Sequence, residues 1–142
     1  MEEENPKRFP EWLELKETLD RVGRLTGISE GQIWWVAIGE NVGVEINGKS
    51  ELFSRPVLIY KKLSKFGFLG IPLTSQEHKG SWYVPFEFQG KTSYASLAQI
   101  RVMSVSRLYR KPVGKISRSD FKKVCQGFDN LYHFEFKESD KK

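Results

Sequence analysis

Arg55 stands at the start of an apolar run, between Phe53 and Val57, where a charge is costly. A guanidinium on the same strand face as Val57 and Ile59 must reach the rim of the fold or meet a partner, because desolvating it unpaired is strongly unfavourable. Glu45 and Glu51 are the carboxylates placed to cap it as an ordinary edge-strand arginine. A second apolar run, IPLTSQ from Ile71 to Gln76, ends in two hydroxyls and an amide, those of Thr74, Ser75 and Gln76. If Arg55 to Tyr60 and Phe66 to Thr74 form a hairpin about residues 61–65, Arg55 falls opposite Pro72. Thr74 is then a diagonal neighbour at roughly 7–8 Å between backbones, and both side chains can converge on one group. A guanidinium beside a hydroxyl suits a phosphate oxygen. Ser and Thr at a strand end are also simple turn formers. His78, just beyond the loop, carries the side chain that ordinarily titrates nearest neutrality.

Other chemistries find little support. Cys125 is the single cysteine, so no intramolecular disulfide forms, and with only His78 and His133 there is no cluster to ligate zinc; no metal or cofactor is expected. Cys125, in a helical stretch, reads as core rather than as a nucleophile. The longest apolar runs, Ile33 to Ile38 and Pro56 to Tyr60, fall far short of the roughly 20 residues of a membrane helix. The acidic MEEEN start is unlike a signal peptide, so a soluble cytoplasmic protein with no membrane partner is expected.

The elements that must position these side chains can be read from pattern. The 142 residues match one domain, and 39% hydrophobic composition with four Trp and ten Phe is enough for a core. Pro10 and EWLELKETLDRVG read as a helix with an apolar stripe of Trp12, Leu15, Leu19 and Val22, ended by Gly23. So short a helix needs a surface to cover, and the body of this chain is favoured over a partner. From Gly31 to about Lys115 the pattern is five to seven short strands, with Asn47-Gly48 and Gln89-Gly90 as two-residue hairpin turns and Gly67, Gly70 and Pro72 as bends. That predicts a small antiparallel barrel. Ser117 with Asp120 resembles a capping box opening a short helix through Val124, stopped by Gly127. LYHFEF alternates and reads as one more strand before the charged ESDKK end.

Charge is unevenly distributed. The net +5 resolves into a surplus of eleven positive charges over residues 55–123, against a deficit of three over residues 1–30. Such a surplus is what a polyanion-binding surface requires, although a solvated basic face has the same composition. Trp82, Tyr83, Phe86 and Phe88 lie beside Lys79 and Lys91, an interleaving in which one or two edge aromatics stack on unpaired bases while lysines follow the backbone. Arg101, Arg107, Arg110 and Lys111 read either as the basic wall of a groove or as a solvated edge strand.

In order and spacing, GQIWWVAIGENVGVEINGK, FSRPVLI, FLGIPLTSQ and SLAQIRVMSVSRLYRKPVGKIS resemble the PemK/MazF family of toxin endoribonucleases. The helix EWLELKETL resembles that of a longer subgroup, and the resemblance runs from Trp12 to about Gly127. It implies a mainly β protein, a small barrel of the Src-homology-three type with an N-terminal and a short C-terminal helix, forming a homodimer with an RNA groove where two barrels meet. It implies metal-independent cleavage of single-stranded RNA at short sequences, checked by a cognate antitoxin. Arg55 of the Arg-Pro motif and Thr74 of Pro-Leu-Thr-Ser fall on the family's two main catalytic positions, Glu45 on the acidic position of Gly-x-Glu, and Gln99 on the late-strand glutamine. Two features depart from the pattern: the insert INGKSELFS before Arg55, and Ala98 and Ser96 where many members carry Asp and Arg.

Cleavage without a metal needs the 2′-hydroxyl in line with phosphorus, a base, an acid and cationic stabilisation of the phosphoryl oxygens. Arg55 supplies the last and Thr74 positions the phosphate; Glu45 or His78 is the base, and the acid is open. Ser75, Gln76, His78, Lys79, Gln99, Arg101 and Arg107 are the expected RNA contacts. The expected division is an acidic arm and helix over 1–29, the barrel over 30–128 and a charged tail over 129–142. The competing readings are a non-cleaving relative that binds a protein target such as DNA gyrase, and a nucleic-acid-binding module, including one for DNA.

Overall fold

The computed structural model describes residues 6–23 and 26–137. The element order is α1 (Phe9–Val22), β1 (Gln32–Ala37), β2 (Ser54–Lys62), β3 (Gly67–Thr74), β4 (Tyr83–Phe88), β5 (Lys91–Ser96), β6 (Arg101–Ser104), β7 (Gly114–Lys115) and α2 (Arg118–Leu131). The strands form one antiparallel sheet in the order β4-β5-β3-β2-β1-β7, with β6 also on β3. β3 is shared: its first half pairs with β6 and its last two residues with β5, so the sheet bends sharply there. From β6 the chain crosses to β1, where Leu108 bridges Val36, curling the sheet into a half-barrel.

Both faces of the central strands are covered, which is why β2 reads as a continuous apolar run rather than an alternating one. Trp34, Val36, Val57, Ile59 and Phe68 point into the half-barrel, while Ile33, Leu58, Ile71 and Leu73 point outward under α2, which contributes Val124 and Phe121. α2 is capped by Ser117, whose Oγ accepts from the Asp120 backbone N–H at 3.2 Å.

Several local expectations hold. Gly23 closes α1 with a positive φ of 64°, and α1 packs on this chain, with Trp12, Leu15 and Leu19 against Ala37, Phe53 and Tyr109. The side chain of Val22, the fourth member of the expected stripe, lies outside the described residues, as do residues 1–5, 24–25 and 138–142. Gln89-Gly90 turns the β4–β5 hairpin, with both φ values positive (51° and 77°).

Four expectations are corrected. Asn47-Gly48 makes no hairpin: Asn47 Oδ1 accepts from the Asn41 N–H at 2.6 Å, and the chain turns later, where Lys49 bridges Ser54. The β2–β3 register pairs Val57 with Pro72 and Leu58 with Ile71, two residues from the expected alignment. The turn sits later, with the Leu63 and Ser64 N–H groups both donating to the Gly67 carbonyl, and a bulge at Tyr60 takes up one residue. Gly127 does not stop α2, which runs to Leu131 and so past residue 128; a Cβ at Gly127 would lie 2.7 Å from Val84 Cγ2, so the glycine serves close packing. LYHFEF forms no strand, because Leu131 completes the helix and the Tyr132 hydroxyl donates to the Leu97 carbonyl at 2.7 Å.

Candidate active site

Extending the observed register two residues from the Val57–Pro72 pair sets Arg55 level with Thr74. A shift of two preserves the face of every side chain, so the convergence expected from sequence survives and becomes direct rather than diagonal. Both residues line a cleft of about 520 Å³ that also takes in Trp35, Lys49, Phe88 and Lys91. Both also line a smaller depression of about 160 Å³ with His78, Tyr83 and Gln76. Arg55 and Thr74 thus form the saddle between two concavities.

The Arg55 guanidinium donates through Nε to the Asn47 carbonyl at 2.6 Å. Among the described residues it makes no ion pair; neither Glu45 nor Glu51 caps it. Burial pushes its pKa below the ordinary arginine value, yet a guanidinium stays charged at neutral pH. The result is a half-buried cation with its outer N–H groups uncommitted to any carboxylate. Thr74 is buried, and its Oγ1 accepts from the Gln76 N–H at 3.2 Å, which leaves the hydroxyl proton to donate elsewhere. His78 is half-buried and stacks on Tyr83 with centroids 4.2 Å apart and planes 8° from parallel.

Residues 38–53 hold Arg55 in place, and they are themselves braced. Gln99 Oε1 accepts from the Ile46 N–H and Gln99 Nε2 donates to the Val44 carbonyl, both at 3.1 Å. Gln99, expected as an RNA contact, therefore spends its amide on this loop. Glu45 sits in an exposed turn and does not line the depression that its neighbours Val44 and Ile46 enter. Ser75 lines the larger cleft and Gln76 the smaller, while exposed Lys79 lines neither. Arg107 is turned away: it donates to the Ala37 carbonyl at 3.0 Å and lines a separate hollow beside α1. Arg101 lies close enough to Arg107 to lower its pKa further, after the larger effect of burial. Arg110 and Lys111 border a third hollow that shares Trp35 with the main cleft.

Sequence reasoning missed Lys49 and Trp35. The alternation in QIWWVAI carries the signal for the second, since Trp34 is 2% exposed inside the half-barrel and Trp35 is 46% exposed on the other face. Lys49 carries no such signal, because its place depends on the path of the loop.

The fold and site define a small, curled antiparallel half-barrel with a cation and a hydroxyl at its mouth. Residues 29–132 match the family described as the PemK-like, MazF-like toxin of type II toxin-antitoxin systems, and the chain belongs to it. The fold is similar to that of an endoribonuclease from a mycobacterial species solved with its cognate antitoxin (13% identity, TM-score 0.60, 78% of this chain and 100% of that one). It is similar also to MazF from Deinococcus radiodurans (14%, TM-score 0.61, 77% and 97%) and to the Mycobacterium tuberculosis toxin MazF-mt6 (16%, TM-score 0.55, 74% and 99%). No curated protein sequence matches the chain. Among the described residues, no helix is long and apolar enough to cross a membrane.

Proposed function

We propose that this chain is a toxin endoribonuclease that cleaves single-stranded RNA through the 2′-hydroxyl, without a metal ion. The observation that carries this reading is the pairing of an uncapped, half-buried Arg55 with the Thr74 hydroxyl at the meeting of two clefts. In this reading Arg55 stabilises the charge that builds on the phosphoryl oxygens, and the Thr74 hydroxyl donates to one of them. As the 2′-oxygen attacks phosphorus, the bond to the 5′-oxygen breaks and that oxygen takes a proton from solvent, leaving a 2′,3′-cyclic phosphate and a 5′-hydroxyl. His78, which shares the smaller depression with Arg55 and Thr74, is better placed than Glu45 to take the 2′-proton. The active species is a homodimer inhibited by a cognate antitoxin, as the family resemblance implies.

The test incubates purified protein with long single-stranded RNA in EDTA, beside an Arg55→Ala variant and an RNA that is 2′-deoxy at the cleaved position. The reading expects cleavage by wild type alone, and only of the all-ribose strand. Intact RNA overturns the activity, and cleavage at the deoxy position overturns the mechanism. Trapping of cleaved DNA with gyrase, with RNA untouched, would assign the chain to a protein target instead. Light scattering checks the dimer.

A further inference from the structure

The segment before α1 does more than lead into the helix. Arg8 Nη1 donates to the Ser50 carbonyl at 2.8 Å, and Nη2 pairs with Glu40 Oε1 at 3.3 Å. The Glu40 side chain is only 7% exposed, and the Arg8 guanidinium also covers the Phe53 ring at 4.1 Å. This strap lays residues 6–8 along the loop that aims Arg55. Between strap and loop lies a cleft of about 590 Å³ lined by Lys7, Arg8, Lys49 and Arg55, with Glu40 the single carboxylate. Glu40 is already paired with Arg8, so Lys7, Lys49 and Arg55 are left facing the cleft without an ion pair among the described residues.

We propose that this cleft is a phosphate subsite, built by Lys7 of the N-terminal arm and Lys49 of the loop, for the RNA phosphate next to the one that Arg55 engages. The proposal rests on the RNA-cleaving reading above. RNA is favoured over an acidic protein because Arg55 lines this cleft and both concavities at the Arg55–Thr74 saddle, so one backbone can run through all three. The two lysines act as point charges on a backbone oxygen, which gives affinity without base preference. Arg8 is a positioning residue: through Glu40 and Ser50 it holds arm and loop together.

The experiment titrates full-length protein into a fluorescent, uncleavable 2′-deoxy oligonucleotide of mixed sequence over a series of KCl concentrations. A Lys7→Ala/Lys49→Ala variant is expected to bind several-fold more weakly, with the slope of log Kobs against log salt smaller by about 0.7 for the lost phosphate. Lys122→Ala, on the exposed side of α2, is expected to match wild type. On cleavable RNA the double variant should raise KM and leave kcat close to wild type. Circular dichroism confirms that it folds. An unchanged slope in a folded variant, or an equal loss in Lys122→Ala, overturns the subsite. Unchanged oligonucleotide binding with weaker binding of poly-glutamate assigns the cleft to a protein and overturns it too. Failure of wild type to cleave any RNA instead strikes the reading on which the proposal rests.

Discussion

Arg55 is aimed by Asn47: its Nε donates to the Asn47 carbonyl at 2.6 Å, so the loop of residues 38–53, as much as strand β2, decides where the guanidinium points. The insert that lengthens this loop therefore lies in direct contact with the residue that defines the site. The two asparagines of the loop brace it: Asn41 Nδ2 donates to the Ile38 and Ile46 carbonyls at 3.1 and 2.8 Å, and Asn47 Oδ1 accepts from the Asn41 N–H at 2.6 Å.

Arg55→Lys is expected to fail. An ammonium keeps the charge but cannot hold the Asn47 carbonyl and present two further donors to a phosphoryl group in a fixed plane. RNA cleavage should fall on the order of 10²-fold or more in kcat. Thermal unfolding should show a folded protein, and near wild-type kcat would show that only charge matters at this position.

Thr74 separates its two roles by substitution. Thr74→Ser keeps the hydroxyl that accepts from the Gln76 N–H and donates outward, and should retain most activity. Thr74→Val keeps the shape and removes both bonds, so kcat should drop well below the serine variant, by a hydrogen bond to a charged group worth about 1.5–3 kcal/mol. Equal activity of the two variants would remove Thr74 from the chemistry.

Gln99→Leu tests whether the amide braces the loop or touches RNA. Both of its polar ends bond to loop backbone, so the variant should lose kcat through a displaced Arg55. The loss should fall on kcat more than on KM, since the amide is spent on loop backbone. A raised KM with kcat unchanged would make Gln99 a direct RNA contact.

How much of this was legible from sequence follows from distance along the chain. Arg55 and Thr74 lie on neighbouring strands joined by a short turn, so pairing alone brought them together, and an error of two residues in register left their faces unchanged. Arg8, Lys49 and Gln99 reach the site through loop paths and contacts such as the 32-residue separation of Arg8 from Glu40, which periodicity does not encode. Gly127 misled because a glycine in a helix reads as a stop, whereas here it lets α2 approach Val84 and Leu97.

Gly39 fixes how closely α1 approaches the sheet. Its φ is +90°, and a Cβ there would fall 2.1 Å from Trp12 Cε2. Gly39→Ala should therefore cost at least about 1–3 kcal/mol from backbone strain alone, with more from the displaced indole. In a Trp12→Ala background the clash is gone and the cost should shrink. Additive effects in this double-mutant cycle would show that the contact is not the cause.

Tyr60 links the sheet to α2 and should report its loss in alkali. Its ring packs on Phe128 and Phe121 with centroids 5.0 and 5.8 Å away. Burial, then hydrogen bonding to the Cys125 thiol, pushes its pKa from 10.0 up to about 12. The folded state thus holds the phenol proton that the unfolded chain releases from pH ~10 upward. Where the native state binds more protons, stability falls as pH rises, so this contribution is intact below pH ~10 and is lost by pH ~12. Tyr60→Phe should flatten the decline in denaturation midpoint across that window. It should also remove the latest-titrating phenolate from the ultraviolet absorbance titration. A variant that declines as steeply as wild type would place the alkaline sensitivity in another group.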